Sequence, residues 1–225
     1  MQIATPIRYK KDDVANFIYN SQKIEGCTLD LEQTKRAMYD YKSFIADWYG
    51  VDPNLSLTDV IETHQYYCTM VAILLHDSKH EFNMDMINDW HFNTFSKTKS
   101  DIAGVWRICD VGTYNLSGEF VPYMSHRIIS FAMKGLEEFI RENAPSKKRK
   151  NAVDILTYCF KIHSMFEGIH PYADGNGRVG RLLMNYFLIK YNYKMFDIKF
   201  EWRDEYFNSL ERGRFHEWAK SRYVM

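Results

Sequence analysis

The stretch His170-Pro-Tyr-Ala-Asp-Gly-Asn-Gly-Arg-Val-Gly-Arg181 lies between two apolar, helix-forming segments of the 225-residue chain. Pro171 disfavours a helical conformation in the residue before it, so it ends the first helix. Gly175-Asn-Gly177 allows the backbone to turn sharply and to approach a ligand closely. A helix that begins directly afterwards presents free backbone N–H groups and the positive end of its dipole. The stretch therefore predicts an anion-binding loop at a helix N-terminus.

The side chains of the same stretch are suited to a polyphosphate. Arg178, Arg181 and Asn185 are spaced i, i+3 and i+7, which places them on one face of the second helix. Two guanidinium groups above an anion-binding loop fit a polyphosphate better than a single carboxylate. Asp174 could hold a magnesium ion together with substrate phosphates. Histidine has an unperturbed pKa near 6.5, so His170 could be neutral at working pH and accept a proton from an attacking hydroxyl.

Taken singly, these features are more often structural than functional. A Gly-Asn-Gly loop is common, and a histidine before a proline is more often a capping or core residue than a base. It is their joint spacing within twelve residues that favours a site of phosphoryl or nucleotidyl transfer.

The rest of the chain predicts an all-α fold with one β-hairpin flap beside the active site. Hydrophobic periodicity predicts helices over residues 12–25, 31–49, 57–76, 83–95, 125–143, 152–167, 178–191 and 204–223, with Asn83 as a candidate N-cap. Strand formers at 105–114, turn residues at 115–118 and an extended stretch at 119–123 predict the hairpin.

Composition narrows the function classes. Lys+Arg and Asp+Glu both number 29, so the net charge is zero and a nucleic-acid partner is not expected. No run approaches the roughly 18 apolar residues of a membrane span, and the N-terminus lacks the apolar core of a signal peptide. The four cysteines are widely spaced and form no metal or disulfide pattern. We expect a cytoplasmic protein without a membrane partner.

The motif resembles that of the Fic family, HxFx(D/E)GNGRxxR. Here it reads HPYADGNGRVGR, with Tyr172 where the family usually has Phe. The tyrosine hydroxyl needs a hydrogen-bond partner or an exit to solvent. Segments 163–169 and 182–188 resemble the family's central helices, and 103–107 and 120–122 resemble its flap. The resemblance covers the chain from about residue 12 onwards.

The resemblance implies a protein adenylyltransferase that uses ATP and Mg²⁺. His170 would be the catalytic base for a target Ser, Thr or Tyr hydroxyl, and Asp174 would hold the metal. The other implied roles are an anion hole at Gly175, Asn176 and Gly177, a β-phosphate contact at Arg178, a γ-phosphate contact at Arg181, and a contact to the base or ribose at Asn185.

Two further features follow from the resemblance. The kinase-like branch of the family carries Lys where this chain has Gly177, so glycine favours transfer of a nucleotide monophosphate, most often AMP with pyrophosphate leaving. The hairpin around residues 105–123 would dock the target protein by strand addition.

The segment Ser21-Gln-Lys-Ile-Glu-Gly26 resembles the family's inhibitory helix, (S/T)xxxE(G/N). Ser21 and Glu25 are i, i+4 and share a helix face. In the mechanism that the resemblance implies, Glu25 pairs with Arg181 and takes the γ-phosphate position, so ATP binds in an unreactive pose. From the spacing alone, Glu25 would more simply face solvent before a glycine cap.

We expect residues 1–50 to form an N-terminal helical segment with the inhibitory helix, and 51–225 the catalytic core, in one compact unit. Three alternatives remain open: removal of AMP with Glu25 positioning water, transfer of UMP, GMP or phosphocholine, and a non-catalytic nucleotide-binding regulator. The aromatic set Tyr39, Tyr41, Trp48 and Tyr49 could serve the core or a homo-oligomer interface.

Overall fold

The structure is a computed structural model that describes residues 9–48, 55–75, 81–114, 118–145 and 152–223. These residues form ten α-helices and one antiparallel hairpin, which confirms the predicted fold class. The helices are α1 Lys11–Ile24, α2 Leu31–Tyr39, α3 Tyr41–Trp48, α4 Leu57–Leu75, α5 Asp85–Phe95, α6 Ile129–Glu142, α7 Ala152–Ile169, α8 Asn176–Lys190, α9 Arg203–Glu211 and α10 Phe215–Arg222. The strands are β1 Gly112–Tyr114 and β2 Phe120–Pro122, and 3₁₀ turns cover His126–Ile128 and Phe200–Trp202.

Two of the predicted helices are each divided in two. The helix predicted over 31–49 breaks at Asp40, whose backbone leaves the helical region at φ −133° and ψ 38°. The helix predicted over 204–223 breaks at Gly213, where φ is +65°. A left-handed glycine is a frequent end of a helix because it has no Cβ to clash with the backbone. Hydrophobic periodicity continues across both breaks, so the sequence pattern predicted one helix where the structure has two.

The hairpin is shorter than the sequence predicts. Its register pairs Gly112 with Pro122 and Tyr114 with Phe120, and residues 115–117 of the turn predicted over 115–118 lie outside the described residues. The strand predicted over 105–114 begins only at Gly112. The segment before it is not a strand, because the Arg107 N–H donates to the Pro171 carbonyl at 2.9 Å instead of to a neighbouring strand. This segment therefore lies against the motif loop.

Helices α7 and α8 occupy the centre of the fold. Most of α8 is buried, including the apolar stripe Val179, Leu182, Leu183, Tyr186 and Phe187. A helix that is apolar around most of its circumference has to be enclosed by other elements. Phe17 and Ile18 of α1 belong to the same core cluster, so the N-terminal helix packs against the central pair. This packing brings the end of α1 to the beginning of α8.

The aromatic set on α2 and α3 is only partly described. Tyr39 is half-exposed and packs edge-on against Tyr67, whereas Tyr41 stacks on His64 with ring centroids 4.1 Å apart. The side chains of Trp48 and Tyr49 lie outside the described residues. Across the described part of the chain, none of the helices has both the length and the apolar character that a membrane crossing requires.

Candidate active site

The motif loop is held closed by its own asparagine. Asn176, the first residue of α8, accepts a hydrogen bond from the Tyr172 N–H and donates one to the Tyr172 carbonyl, both at 2.9 Å. Gly175 precedes it with φ +80°, and a Cβ there would lie 2.3 Å from the ring of Phe95. Only glycine can both adopt this positive φ and leave room for the Phe95 ring. The helix begins two residues earlier than the sequence predicted, so all three residues of the expected anion hole lie at its N-terminus.

The loop is fixed from behind by Tyr172 and His91. The Tyr172 hydroxyl donates to Asn88 Oδ1 at 2.7 Å, which gives it the hydrogen-bond partner that a buried tyrosine needs. Its ring stacks on His91 at 3.8 Å. His91 Nδ1 accepts from the Gly104 N–H at 2.8 Å, so Nε2 carries the proton and donates to the Asp174 carbonyl at 2.9 Å. Burial lowers the pKa of His91 to about 4, which keeps this neutral tautomer.

His170 directly follows α7 and has an unusual backbone conformation. Its φ is +52°, in the left-handed region that non-glycine residues rarely adopt. Its ring is stacked on Tyr123 of the flap, with centroids 3.6 Å apart and planes 5° from parallel. Burial lowers the pKa of His170 to about 4, and the nearby Arg107 guanidinium adds to the lowering. The imidazole is therefore neutral near pH 7 and can accept a proton.

Asp174 presents a half-exposed carboxylate at the edge of the loop. Its Oδ2 pairs with Lys99 Nζ at 2.8 Å, and its Oδ1 accepts the Gly175 N–H at 2.6 Å. Burial alone would raise the Asp174 pKa, but the bond from Lys99 and the charge of Arg178 lower it, so the group is ionised. Lys99 is shared with the buried Glu62, whose Oε1 lies 3.0 Å from the same ammonium.

The donor set fits a magnesium ion that relies on its substrate for most ligands. Among the described residues no group of three or more His, Cys, Asp or Glu side chains could hold a metal. One accessible carboxylate combined with phosphate oxygens is the usual way in which proteins bind Mg²⁺. Asp174 meets that requirement.

The two motif arginines point to different partners. Arg178 forms a short contact with Glu62, donates to Gln22 Oε1 at 3.4 Å, and stacks over the Phe95 ring at 4.4 Å. Arg181 instead turns towards α1. The shared helix face predicted from their spacing therefore does not place both guanidinium groups over one point, and the β-phosphate contact of Arg178 stays a prediction.

Arg181 is 1% exposed and its hydrogen bonds end on α1 and α9. Its Nε donates to Ser21 Oγ at 2.8 Å, and its Nη2 donates to the Ser21 carbonyl at 3.0 Å and to Glu25 Oε1 at 2.7 Å. Nη1 reaches the Tyr206 hydroxyl at 3.5 Å. Burial alone would lower the Arg181 pKa, but the Glu25 carboxylate raises it, so the guanidinium stays charged.

The Glu25 carboxylate also lies against the first turn of α8. A Cβ built on Gly177 would be 2.4 Å from Glu25 Oε1 and 3.0 Å from Arg181 Nη1. The position where a helix N-terminus would bind an external anion is thus filled by the chain's own carboxylate. The two predicted regulatory residues, Ser21 and Glu25, both contact the second motif arginine.

Asn185 is buried away from the loop surface. Its amide donates to the Phe196 carbonyl at 3.2 Å and to the Arg181 carbonyl at 2.9 Å, and it accepts from the Phe196 N–H at 2.7 Å. The predicted contact of Asn185 with the base or ribose stays a prediction, and it would require these bonds to rearrange.

Several residues of the site were not singled out in the sequence. Glu62 contacts the motif from α4 and Lys99 from the loop after α5, and Arg107 and Tyr123 contact it from the two sides of the hairpin. Glu167 has a buried carboxyl beside Gly180, where a Cβ would lie 2.1 Å from its Oε1. Burial raises the pKa of Glu167 to about 8. The only sequence signal for these residues is a charged group within an apolar or strand-forming segment, which is weak by itself.

The flap exposes aromatic side chains on one side. Tyr114 is 73% and Phe120 is 56% exposed, although they are cross-strand neighbours with ring centroids 5.7 Å apart. Gly112 leaves room for the Phe120 ring, since a Cβ there would lie 2.4 Å from it. An exposed edge with aromatic groups is a surface on which an extended segment can add.

Comparison with known proteins identifies related proteins of one family. The sequence model of the Fic/DOC family matches residues 81–188, which include the flap, the loop and most of α8. A protein of Aquifex aeolicus described as a probable protein adenylyltransferase is 35% identical over 66 residues, covering 29% of this chain and 20% of its own. The protein adenylyltransferase of Caenorhabditis briggsae is 25% identical over 197 residues, covering 86% of this chain and 35% of its own.

Solved structures show the same fold. A Fic-domain-containing signalling protein from Bacteroides thetaiotaomicron superposes with a TM-score of 0.73 at 25% identity, over 90% of this chain and 75% of that one. The Fic-1 protein of Caenorhabditis elegans gives a TM-score of 0.73 at 21% identity, over 98% of this chain and 62% of that one. The chain spans only about a fifth to a third of the two curated relatives named above.

Proposed function

Because this chain belongs to the Fic/DOC family, we propose that it is a protein adenylyltransferase that moves AMP from ATP to a hydroxyl of a target protein. The names of its relatives support this activity at about 25% identity over most of the chain. Gly177 supports it further, since a side chain there would fill the space beside the helix N-terminus that an anion needs.

The reaction that we propose requires one base and one electrophile. The target hydroxyl oxygen attacks the α-phosphorus of ATP and gives its proton to His170. A new oxygen–phosphorus bond forms, the bond to the bridging α–β oxygen breaks, and pyrophosphate leaves. The stacking of Tyr123 supports this role, because it covers a face of the His170 ring and not the in-plane nitrogen atoms.

Asp174 would hold Mg²⁺ at this site, and the ion would supply charge neutralisation of the phosphates. For Asp174 to bind the ion, its carboxylate has to separate from the Lys99 ammonium. The adjoining Glu62 carboxylate already lies 3.0 Å from the same ammonium, so Lys99 would keep one charged partner. The described cleft beside these residues has a volume of about 160 Å³ and is lined by Glu25, Asp174 and Arg178 among others.

The contact between Glu25 and Arg181 is the observation that carries the proposal of autoinhibition. An arginine committed to an internal carboxylate is not available to a γ-phosphate, and the same carboxylate repels phosphate oxygens. Glu25 is the C-cap residue of α1, where the helix dipole disfavours a negative charge by a few tenths of a kcal/mol. The charged hydrogen bond to Arg181, worth about 1.5–3 kcal/mol, outweighs that cost.

The target protein would dock on the flap. The exposed aromatic pair Tyr114 and Phe120 lies on the strands next to Tyr123, which touches His170. A segment added to the flap would therefore run close to the base. Strand addition uses main-chain hydrogen bonds and reads little sequence, so target choice would depend on other surfaces.

The test is intact-mass spectrometry and target labelling with wild type, Glu25→Gly and Glu25→Gly/His170→Ala. Each is incubated with Mg²⁺, cell lysate and, separately, labelled ATP, UTP, GTP or CDP-choline. Glu32→Gly, which removes an exposed glutamate from α2, is the matched control. We expect strong AMP transfer by Glu25→Gly, weak transfer by wild type and by Glu32→Gly, and none without His170.

The other outcomes separate the alternatives. Equal labelling by wild type and Glu25→Gly would exclude autoinhibition. Transfer of another group would show that the substrate is a different nucleotide. If no variant transfers anything, the transferase proposal fails. Removal of AMP from a modified target by wild type but not by Glu25→Gly would favour hydrolysis.

A further inference from the structure

Arg107 is a buried arginine whose hydrogen bonds all end on backbone carbonyls. Nε donates to the His170 carbonyl and Nη1 to the Cys109 carbonyl, both at 2.8 Å. Nη2 donates to the Met124 carbonyl in a short contact and lies 3.5 Å from the Ile169 carbonyl. The side chain has no exposed surface. One guanidinium group thus joins two parts of the chain that are more than 40 residues apart.

The first part is the end of α7. Ile169 is the last residue of that helix, and the final carbonyls of a helix have no partner within it. Arg107 supplies that partner, and its positive charge suits the negative end of the helix dipole. His170 follows at φ +52°, a conformation that persists only where its surroundings enforce it. The bond from Arg107 Nε to the His170 carbonyl is such a constraint.

The second part is the base of the flap. Cys109 precedes β1 and Met124 follows β2, so the same guanidinium binds both ends of the hairpin. Asp110 closes the base as well, since it accepts bonds from the His126 N–H at 2.7 Å and from Ser125 Oγ at 3.1 Å. The flap is therefore anchored to the residue that carries the proposed base.

We propose that Arg107 is the positioning residue that holds His170 in its reactive orientation and fixes that residue relative to the flap. This inference rests on the adenylyltransferase activity proposed above and adds a residue to it. By binding the His170 backbone, Arg107 fixes the position of the imidazole ring. Through Met124, it sets the neighbouring Tyr123, whose ring covers the imidazole. A target bound on the flap and the base that receives its proton would then share one anchor.

The kinetic test compares Arg107→Ala and Arg107→Lys in the Glu25→Gly background. The control is Arg141→Ala, which removes an exposed arginine from α6. We expect kcat to fall about 100-fold in Arg107→Ala, the effect of roughly 1 Å of misplacement, with KM for ATP within about threefold. Lysine has one ammonium in place of the planar fork, so Arg107→Lys should recover only part of the rate. Added guanidinium ion should partly restore Arg107→Ala, and Arg141→Ala should match its parent.

A second measurement does not depend on transfer. A ring stacked at 3.6 Å shifts the NMR resonances of its neighbour upfield, so the His170 ring protons report the contact with Tyr123. We expect this upfield shift in the protein with Glu25 intact and in Arg141→Ala, and we expect its loss in Arg107→Ala.

The two measurements have distinct consequences. Unchanged kcat in Arg107→Ala, or a rise of KM in step with the fall of kcat, overturns the positioning role, and so does an unchanged His170 shift. If Glu25→Gly transfers no group at all, the proposed function fails and the NMR comparison still decides the role of Arg107. If Arg107→Ala does not fold, Arg107→Lys is judged by the same criteria.

Discussion

Glu25 and Arg181 form an ion pair of 2.7 Å that joins the end of α1 to the first turns of α8, although 156 positions separate the two residues. The arginine is 1% exposed and the glutamate side chain is 23% exposed, so the pair is largely screened from water. The carboxylate rests directly on Gly177, where an external anion would otherwise meet the helix N-terminus. The Glu25 side chain therefore blocks both the Arg181 guanidinium and the backbone N–H groups at the start of α8.

The charge of Glu25 should account for part of the inhibition and its bulk for the rest. Glu25→Gln keeps an oxygen acceptor but loses the charge, and a neutral hydrogen bond is weaker than a charged one by about 1 kcal/mol. We expect the rate of AMP transfer to rise in the order wild type, Glu25→Gln, Glu25→Gly, with steps of about fivefold or more. Initial rates with saturating ATP measure this order. A Glu25→Gln protein as inactive as wild type would assign the inhibition to bulk alone.

Ser21 should contribute more to stability than to inhibition. Its hydroxyl accepts from Arg181 Nε at 2.8 Å and lies 2.9 Å from the Tyr66 hydroxyl, which donates to the Arg178 carbonyl. Ser21→Ala leaves a buried donor without an acceptor, which should lower the free energy of unfolding by about 1–3 kcal/mol. Transfer should rise only slightly because Glu25 still holds Arg181.

Urea unfolding followed by circular dichroism measures the effect of Ser21→Ala. Ser43→Ala, an exposed position on α3, is the matched control and should stay within about 0.5 kcal/mol of wild type. Equal stability of the two variants would mean that the Ser21 hydroxyl is replaced by water.

Two glycines of neighbouring elements should respond oppositely to alanine. Gly175 has φ +80°, and a Cβ would lie 2.3 Å from the Phe95 ring, so Gly175→Ala should cost about 2 kcal/mol or more. Gly168 lies in α7 with nothing within 4 Å of its would-be Cβ. Gly168→Ala should therefore raise the free energy of unfolding by about 0.5–1 kcal/mol, because alanine is the better helix former. Unfolding free energies measure both, and destabilisation by both would contradict the backbone argument.

Acid should destabilise the protein through its buried histidines. Burial lowers the pKa of His91 and of His170 to about 4 and that of His163 to about 3. The unfolded chain binds protons on these groups near pH 6.5, so stability is lost as pH falls from about 6.5 towards 4. Each histidine contributes a slope of about 1.4 kcal/mol per pH unit in that window.

Glu167 makes the free energy of unfolding depend on pH in the opposite direction. Burial raises its pKa to about 8, so its contribution is present below its ordinary pKa and is lost as pH rises towards 8. Between pH 4.5 and 6.5, unfolding should take up about two protons net from these four groups. Urea unfolding at several pH values measures this slope, and Glu167→Gln should flatten the loss near pH 8. Constant stability from pH 6.5 to 4.5 would contradict the buried, neutral histidines.

Much of the fold could be predicted because its signals are local. The periodicity of α4 or α7 and the strand formers at 112–114 and 120–122 each reflect contacts within a few residues. The two missed breaks, at Asp40 and Gly213, fall where apolar periodicity continues across a change in backbone direction. Periodicity reports which face is apolar, and it is insensitive to a bend that keeps both halves on the core.

The sequence by itself determined the loop and its neighbours: a sharp turn at Gly175-Asn-Gly177 and a helix N-terminus beside His170 and Asp174. Those properties depend on backbone geometry within about twelve residues. Only the tertiary structure decided the partners of the charged groups. Arg178 meets Glu62 of α4 and Arg107 meets the His170 carbonyl, whereas the pair between Arg181 and Glu25 is the one that the family resemblance implies. A buried charge takes whichever opposite charge or carbonyl the packing brings within about 3 Å, and that depends on how whole helices pack.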